Sequence, residues 1–131
     1  MTDHPNAMMI SRLYELFSQG DMEGFLESFA EDVVWHVPGR CPIAGDYKGR
    51  EAVAGYFTAI DEMSGGTYRV SDVHDVVADD EHVVGLHHSV ATRPGKTYDY
   101  NETIIFHVRD GKITEVWEVY GDQYEIDEFW S

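Results

Sequence analysis

Apolar residues recur at three- and four-residue spacing in the first half of the chain and at every second residue in the second half. Met8, Met9, Ile10, Leu13, Leu16 and Phe17 form one stripe, which predicts a helix over residues 4–19 that Gly20 ends. Asp21 has the chemistry to cap a second, short helix carrying Met22, Phe25, Leu26 and Phe29. The β-branched and aromatic run EDVVWHVP, residues 31–38, reads as a strand stopped by its proline. Residues 39–49, with three glycines and with Pro42 four positions after Pro38, read as loop. A third helix from Arg50 to Met63 carries Val53, Tyr56, Phe57, Ile60 and Met63, and the SGG that follows terminates it. Four period-two runs come next, parted by turns at DD (79–80), RPGK (93–96) and RDGK (109–112), the pattern of an antiparallel meander. Helices followed by a long curled sheet predict a single α+β domain, with the helices on one sheet face. The tail, with Tyr124, Ile126, Phe129 and Trp130, is too apolar to stay in water and is expected to fold back on the body or on a partner.

Turn geometry then assigns side chains to faces, because the side-chain period of a strand is two. A two-residue DD hairpin would pair Ala78 with Glu81 and set Asp72 opposite His87. Closure of RPGK at Thr92 and Thr97 sets His87 opposite Glu102 and His88 opposite Asn101. A three-residue RDG loop would pair Val108 with Lys112 and set Glu102 opposite Glu118. Together these registers line up Asp72, His87, Glu102 and Glu118 on one face and send His88 to the other. The same face carries Val70, Val83, Tyr100, Ile104, Phe106, Val116 and Tyr120, so its mixture of apolar walls and a few convergent polar groups resembles a ligand pocket. Two carboxylates in a partly dry cleft cannot both ionise cheaply, and an imidazole between them could be oriented by one and exchange a proton with the other. The alternative stays open: a solvated or fully satisfied polar network that does no chemistry.

Charge narrows the partners. The 131 residues hold 25 acidic and nine basic side chains, a formal charge of -16, which repels phosphate backbones and anionic lipid and argues against nucleic acid and membranes. Residues 1–6 show no basic segment leading into an apolar stretch, so a cytoplasmic location is expected. Cys41 is the single cysteine and cannot form an internal disulfide. His74, His82, His87, His88 and His107 lack HExxH or related spacing, and no GxxxxGK, GxSxG or GxGxxG occurs, so neither a metal nor a nucleotide cofactor is expected.

The order of helix, helix, FAEDVVWHVPG, P.AGDYKGREAV and a meander closing on RDGKITEVWEVYGDQYEIDEFW resembles the SnoaL-like branch of the nuclear transport factor two-like superfamily. That group includes ketosteroid isomerase, scytalone dehydratase and polyketide cyclases. The resemblance spans nearly the whole chain. It implies a cone-shaped domain whose strongly curved, mainly antiparallel sheet encloses an apolar cavity, with Val37, Ile104, Val116 and Tyr120 on the cavity side. It also implies a homodimer through the outer sheet face. The departures matter as much: where ketosteroid isomerase has a base before the proline of its first strand, Val37 precedes Pro38. The positions of its two oxyanion donors fall at Leu13, next to Tyr14, and near Ile104. That machinery is therefore not expected here.

The sequence thus predicts a small cofactor-independent enzyme acting by proton transfer on an apolar oxygenated ring or polyketide-like molecule, as an isomerase, dehydratase or cyclase. His87 would move the proton, Glu102 would be its partner or the raised-pKa acid, Asp72 would orient, and Glu118 would be a second acid. Tyr14, Trp35, Phe57, Tyr100 and Tyr120 would join Val37, Ile104 and Val116 in binding substrate. Alternation turns His36 away from the face of Trp35 and Val37. The competing reading is a non-catalytic small-molecule-binding or dimerisation module on the same fold.

Overall fold

A computed structural model describes residues 4–131; the amino-terminal expectation made on residues 1–6 therefore lies partly outside the described residues. Helix α1 spans Pro5–Ser18. Pro5 stands where its missing N–H costs nothing, and the His4 ring accepts the Asn6 N–H. Its stripe buries Ala7, Ile10, Leu13 and Tyr14. Helix α2, Met22–Glu27, is capped by Asp21, whose carboxylate accepts Gly24 N–H at 2.9 Å. Strand β1 is Phe29–Val37, so Phe29 opens a strand and does not extend the second helical stripe. A short strand β2, Gly45–Lys48, occupies ground expected to be loop: its four residues pair with Val34 to Val37 along the sheet edge. Helix α3 is Arg50–Met63, as the periodicity predicts.

Four long strands complete the sheet: β3 Arg69–Ala78, β4 His82–Arg93, β5 Lys96–Arg109 and β6 Lys112–Tyr120. The sheet order is β2-β1-β6-β5-β4-β3. Among the described residues only the β1–β6 pair is parallel, so the curved sheet is mixed, and it stays open between the β2 and β3 edges. The central hairpin has the expected register, with Thr92 opposite Thr97, His87 opposite Glu102 and His88 opposite Asn101. The flanking two do not. Asp79 to His82 form a wider turn, closed by Glu81 and His82 N–H groups on the Asp79 carboxylate, so Ala78 meets Val83 in place of Glu81. On the other side Asp110 (φ 52°) and Gly111 (φ 74°) make a two-residue turn. Arg109 therefore pairs with Lys112, Val108 with Ile113, and Glu102 faces Tyr120 in place of Glu118.

The helices cover one face of this sheet, and the core runs between them from Ile10 and Val53 to Val83, Phe106, Ile113 and Val116, all almost fully buried. The tail forms α4, Gln123–Trp130, which does fold back on the body. Ile126, Phe129 and Trp130 are buried, while Tyr124 projects into solvent at 90% exposure. Arg93 and Lys96 from the β4–β5 hairpin donate to the last carbonyls of α4, including Phe129 O and Glu128 O, where cations complement the helix dipole. Among the described residues no helix is long and apolar enough to cross a membrane.

Candidate active site

Between α1, α3 and the inner face of the sheet lies a narrow chamber of about 40 Å³. Its walls include Leu13, Tyr14, Phe17, Trp35, Phe57 and Ile104, and its polar floor is His87, Glu102 and Glu118. Register places all three on one face: the two-residue slip of β6 against β5 leaves the face unchanged, because the side-chain period is also two.

His87 links two partners. Its Nε2 lies 2.7 Å from Glu102 Oε1 and its Nδ1 lies 2.7 Å from the Tyr14 hydroxyl. A carboxylate only accepts, so it holds the proton on Nε2, and Nδ1 is left to accept from Tyr14. The result is a chain from Tyr14 O–H through the imidazole to Glu102. Gly85, two residues before His87 on β4, makes room for it: a Cβ there would overlap the Tyr14 hydroxyl and press ring carbons at 3.2 Å.

The two glutamates differ in what surrounds them. Glu102 accepts from Ser89 at 3.0 Å, Tyr68 at 2.9 Å, His87 and Tyr98. Burial alone would push its carboxyl up, but the hydrogen bonds from His87, Tyr98 and Tyr68 hold it below the usual range. Glu118 accepts Trp35 Nε1–H at 2.6 Å and Tyr56 O–H at 2.8 Å on Oε2, and the Tyr120 hydroxyl on Oε1. Burial first, and then the charge of Glu102, push it up to about 7. Four donors thus reach Glu102, three of them on Oε1, whereas Glu118 has three, and with about two lone-pair positions per carboxylate oxygen its Oε1 keeps room for one more hydrogen bond, to a ligand or through its own proton. Burial and the Glu102 charge also raise the Tyr14 hydroxyl.

The expected site residues separate accordingly. His87, Glu102, Glu118, Tyr14, Trp35, Phe57 and Ile104 come together in the chamber. Asp72 does not. A bulge between Val73 and Asp75 moves it opposite His88, where it is exposed, so the orienting role expected of it has no geometric basis. Val37 and Val116 are buried in the core and Tyr100 packs against Tyr98 nearer α4, none of them on the chamber wall. Tyr120 reaches the site only through its bond to Glu118. His36 faces outward as expected, held by Asp46 and Glu115 and stacked on Trp117. The missed members are Ser89, Tyr98, Tyr56 and Tyr68. Ser89 lies two residues beyond His87 and Tyr98 four before Glu102, so period two alone points to them; Tyr68, in the connection before β3, carries no such signal.

The profile of the SnoaL-like domain matches residues 10–116. The chain belongs to the SnoaL-like domain family. An uncharacterized protein of Mycobacterium tuberculosis is 31% identical to this SnoaL-like chain over 132 residues, covering all of both. Among solved structures, Bal32a from a soil-derived mobile gene cassette shares 39% identity at a TM-score of 0.90, with 96% of each chain covered. A Xanthomonas campestris protein with a provisional polyketide-cyclase assignment shares 26% identity at a TM-score of 0.75, covering 99% of this chain and 100% of its own.

Proposed function

We propose that this SnoaL-like protein is an acid–base catalyst for an apolar oxygenated ring or polyketide-like molecule, of the isomerase, dehydratase or cyclase type. The observation that carries the reading is the unequal pair of buried glutamates: one fixed as an anion behind an imidazole, the other able to hold a proton near neutral pH with one acceptor position open. Perturbed carboxyls opposed in this way, in an aromatic-lined pocket, are the arrangement that general acid–base work requires. The polyketide-cyclase assignment of the Xanthomonas campestris neighbour is compatible with it.

The relay is the base. Tyr14 oxygen takes a proton from an acidic C–H or O–H of the substrate while its own proton passes to His87 Nδ1, and Glu102 stabilises the imidazolium so formed. Glu118 is the acid: its proton goes to the substrate oxygen that gains electron density. One proton leaves the substrate and one arrives, so tautomerisation, or loss of a protonated hydroxyl, balances without further reagents. His87 and Glu102 thus act through Tyr14, and the side chains that touch substrate are Tyr14 and Glu118. A second reading has its own support: no buried side-chain polar atom among the described residues lacks a hydrogen-bond partner, as a binding module with an inert polar floor would also require.

Hydrogen–deuterium exchange separates the two. Cyclic 1,3-diketones and hydroxyquinones incubated with the protein in heavy water should lose their acidic C–H signal by NMR faster than in buffer. Tyr14→Phe and Glu118→Gln should each slow this by roughly 10²-fold or more. Exchange equal to buffer across the panel, or unchanged in both variants, rejects catalysis and leaves the binding module. For the assembly we propose a pair of identical chains joined through the outer sheet face around Trp117 and Val119, which no helix among the described residues covers; a monomer in analytical ultracentrifugation would refute it.

A further inference from the structure

The polar chamber is too small for the molecule it is expected to act on. Its free volume of about 40 Å³ is near the share of one or two water molecules, whereas ligand pockets run to about 300 Å³ or more. Immediately outside lies a second cavity of about 570 Å³, between the α1–α2 turn, α3 and the start of β3. Phe17, Phe57, Ile60, Tyr68 and Val70 line both spaces, so these are two compartments of one passage with a partition of side chains between them. Phe17 and Phe57 meet edge to face there, ring centres 5.3 Å apart. Both are half-buried, so they are the side chains that a ligand spanning the two compartments must displace.

The ends of the passage differ in charge. The inner end holds the ionised Glu102 and the titrating Glu118, and no lysine or arginine among the described residues lines it. The outer compartment is lined by Arg69, which is exposed and has no ion-pair partner among the described residues. Asp61 lines the α3 side of the same space, so selectivity there comes from position and not from an excess of positive charge. An anionic group pushed inward would meet a fixed carboxylate in a dry site, at a large electrostatic cost. The same group left outside can rest against a guanidinium.

We infer that the passage takes a flat, largely apolar ligand lengthwise, with an uncharged oxygen at its inner end and an anionic substituent at the outer end beside Arg69. The inner end rests on the acid–base reading above; the outer compartment and Arg69 do not.

Three rigid probes test it by calorimetry with the full chain near neutral pH: 2-naphthol, 6-hydroxy-2-naphthoate and naphthalene-2,6-dicarboxylate. The hydroxynaphthoate should bind roughly threefold to tenfold tighter than naphthol, and the dicarboxylate weakest of the three. With a formal charge of -16 on the chain, such a preference for a singly anionic probe cannot come from the general field. Arg69→Gln should erase the advantage without changing naphthol binding, and Ala54→Trp, which fills the outer compartment, should weaken all three. A dicarboxylate that binds as well as the hydroxynaphthoate, a ratio untouched by Arg69→Gln, or no binding by any probe overturns the inference. The acid–base reading fails separately: if deuterium exchange is indifferent to Glu118→Gln while the Arg69-dependent ratio persists, the mechanism is wrong and the oriented passage stands.

Discussion

Glu102 and Glu118 share one sheet face, yet hydrogen-bond supply drives them apart. Four donors converge on Glu102 and three on Glu118, and the negative charge of the first makes ionising the second costly. That asymmetry has a signed consequence for stability. A free glutamate releases its proton near 4.5, whereas Glu118 in the fold holds it up to about 7, so folding takes up a proton between those values. The associated stability is complete below pH 4.5 and is lost as pH rises through 7, by an amount on the order of 3 kcal/mol. Glu118→Gln imitates the protonated form: its oxygen can keep Trp35 and Tyr56 while its amide donates to Tyr120. Urea titrations should find the variant no less stable than wild type at pH 5 and more stable at pH 8, and a gain of equal size at both pH values would count against the raised carboxyl. Gly85 offers a second residue-scale test. Gly85→Ala should drive Tyr14 off His87, destabilise the fold by about 1–3 kcal/mol and slow deuterium exchange, whereas the Gly85→Ala/Tyr14→Phe double variant should recover much of the stability and none of the exchange. Additive losses in that cycle would mean that the glycine does not serve the tyrosine.

At the scale of elements, what the sequence makes legible is set by which errors a strand forgives. The helical stripes over α1 and α3 are readable because their apolar spacing is long and uninterrupted, and the β4–β5 register because its turn is short and its strands run without a bulge. The β5–β6 register is misread by two residues and the site survives, since Glu118 returns to the same face. The β3–β4 pair is misread through a wide Asp79–His82 turn and a bulge at Val73 and Asp75. A bulge shifts register by one, which reverses the face, and nothing local in RVSDVHDVVA marks it. Strand β2 is illegible for another reason: its pairing with β1 is a tertiary fact, and GDYK has the composition of a turn. The displaced Asp72 gives the clearest test at this scale. Asp72→Asn, exposed and outside the chamber, should change stability by less than about 0.5 kcal/mol and leave deuterium exchange at the wild-type rate. A hundredfold loss on that substitution would restore the orienting role that the bulge removes.

For the whole molecule, the charge of -16 and the buried acid act in the same direction and must be separated. As pH rises from 5 to 8, surface carboxylates complete their ionisation and the compact state repels itself, while Glu118 is forced to give up its proton in a dry site. Both effects lower stability, so pH alone cannot apportion the loss. Ionic strength can. The Debye length shrinks from about 30 Å at 0.01 M salt to about 3 Å at 1 M, which quenches repulsion between solvated charges and leaves buried interactions nearly untouched. Wild-type protein at pH 8 should therefore melt at a higher temperature as sodium chloride is added, reflecting its surface. The additional stability of Glu118→Gln at that pH should persist at high salt, because Glu118 is buried and its penalty comes first from desolvation and then from Glu102 close by. Melting curves of both proteins at low and high salt decide the point: if the advantage of the variant vanishes with added salt, it belongs to the overall field, and Glu118 is not the isolated acid that the proposed chemistry needs.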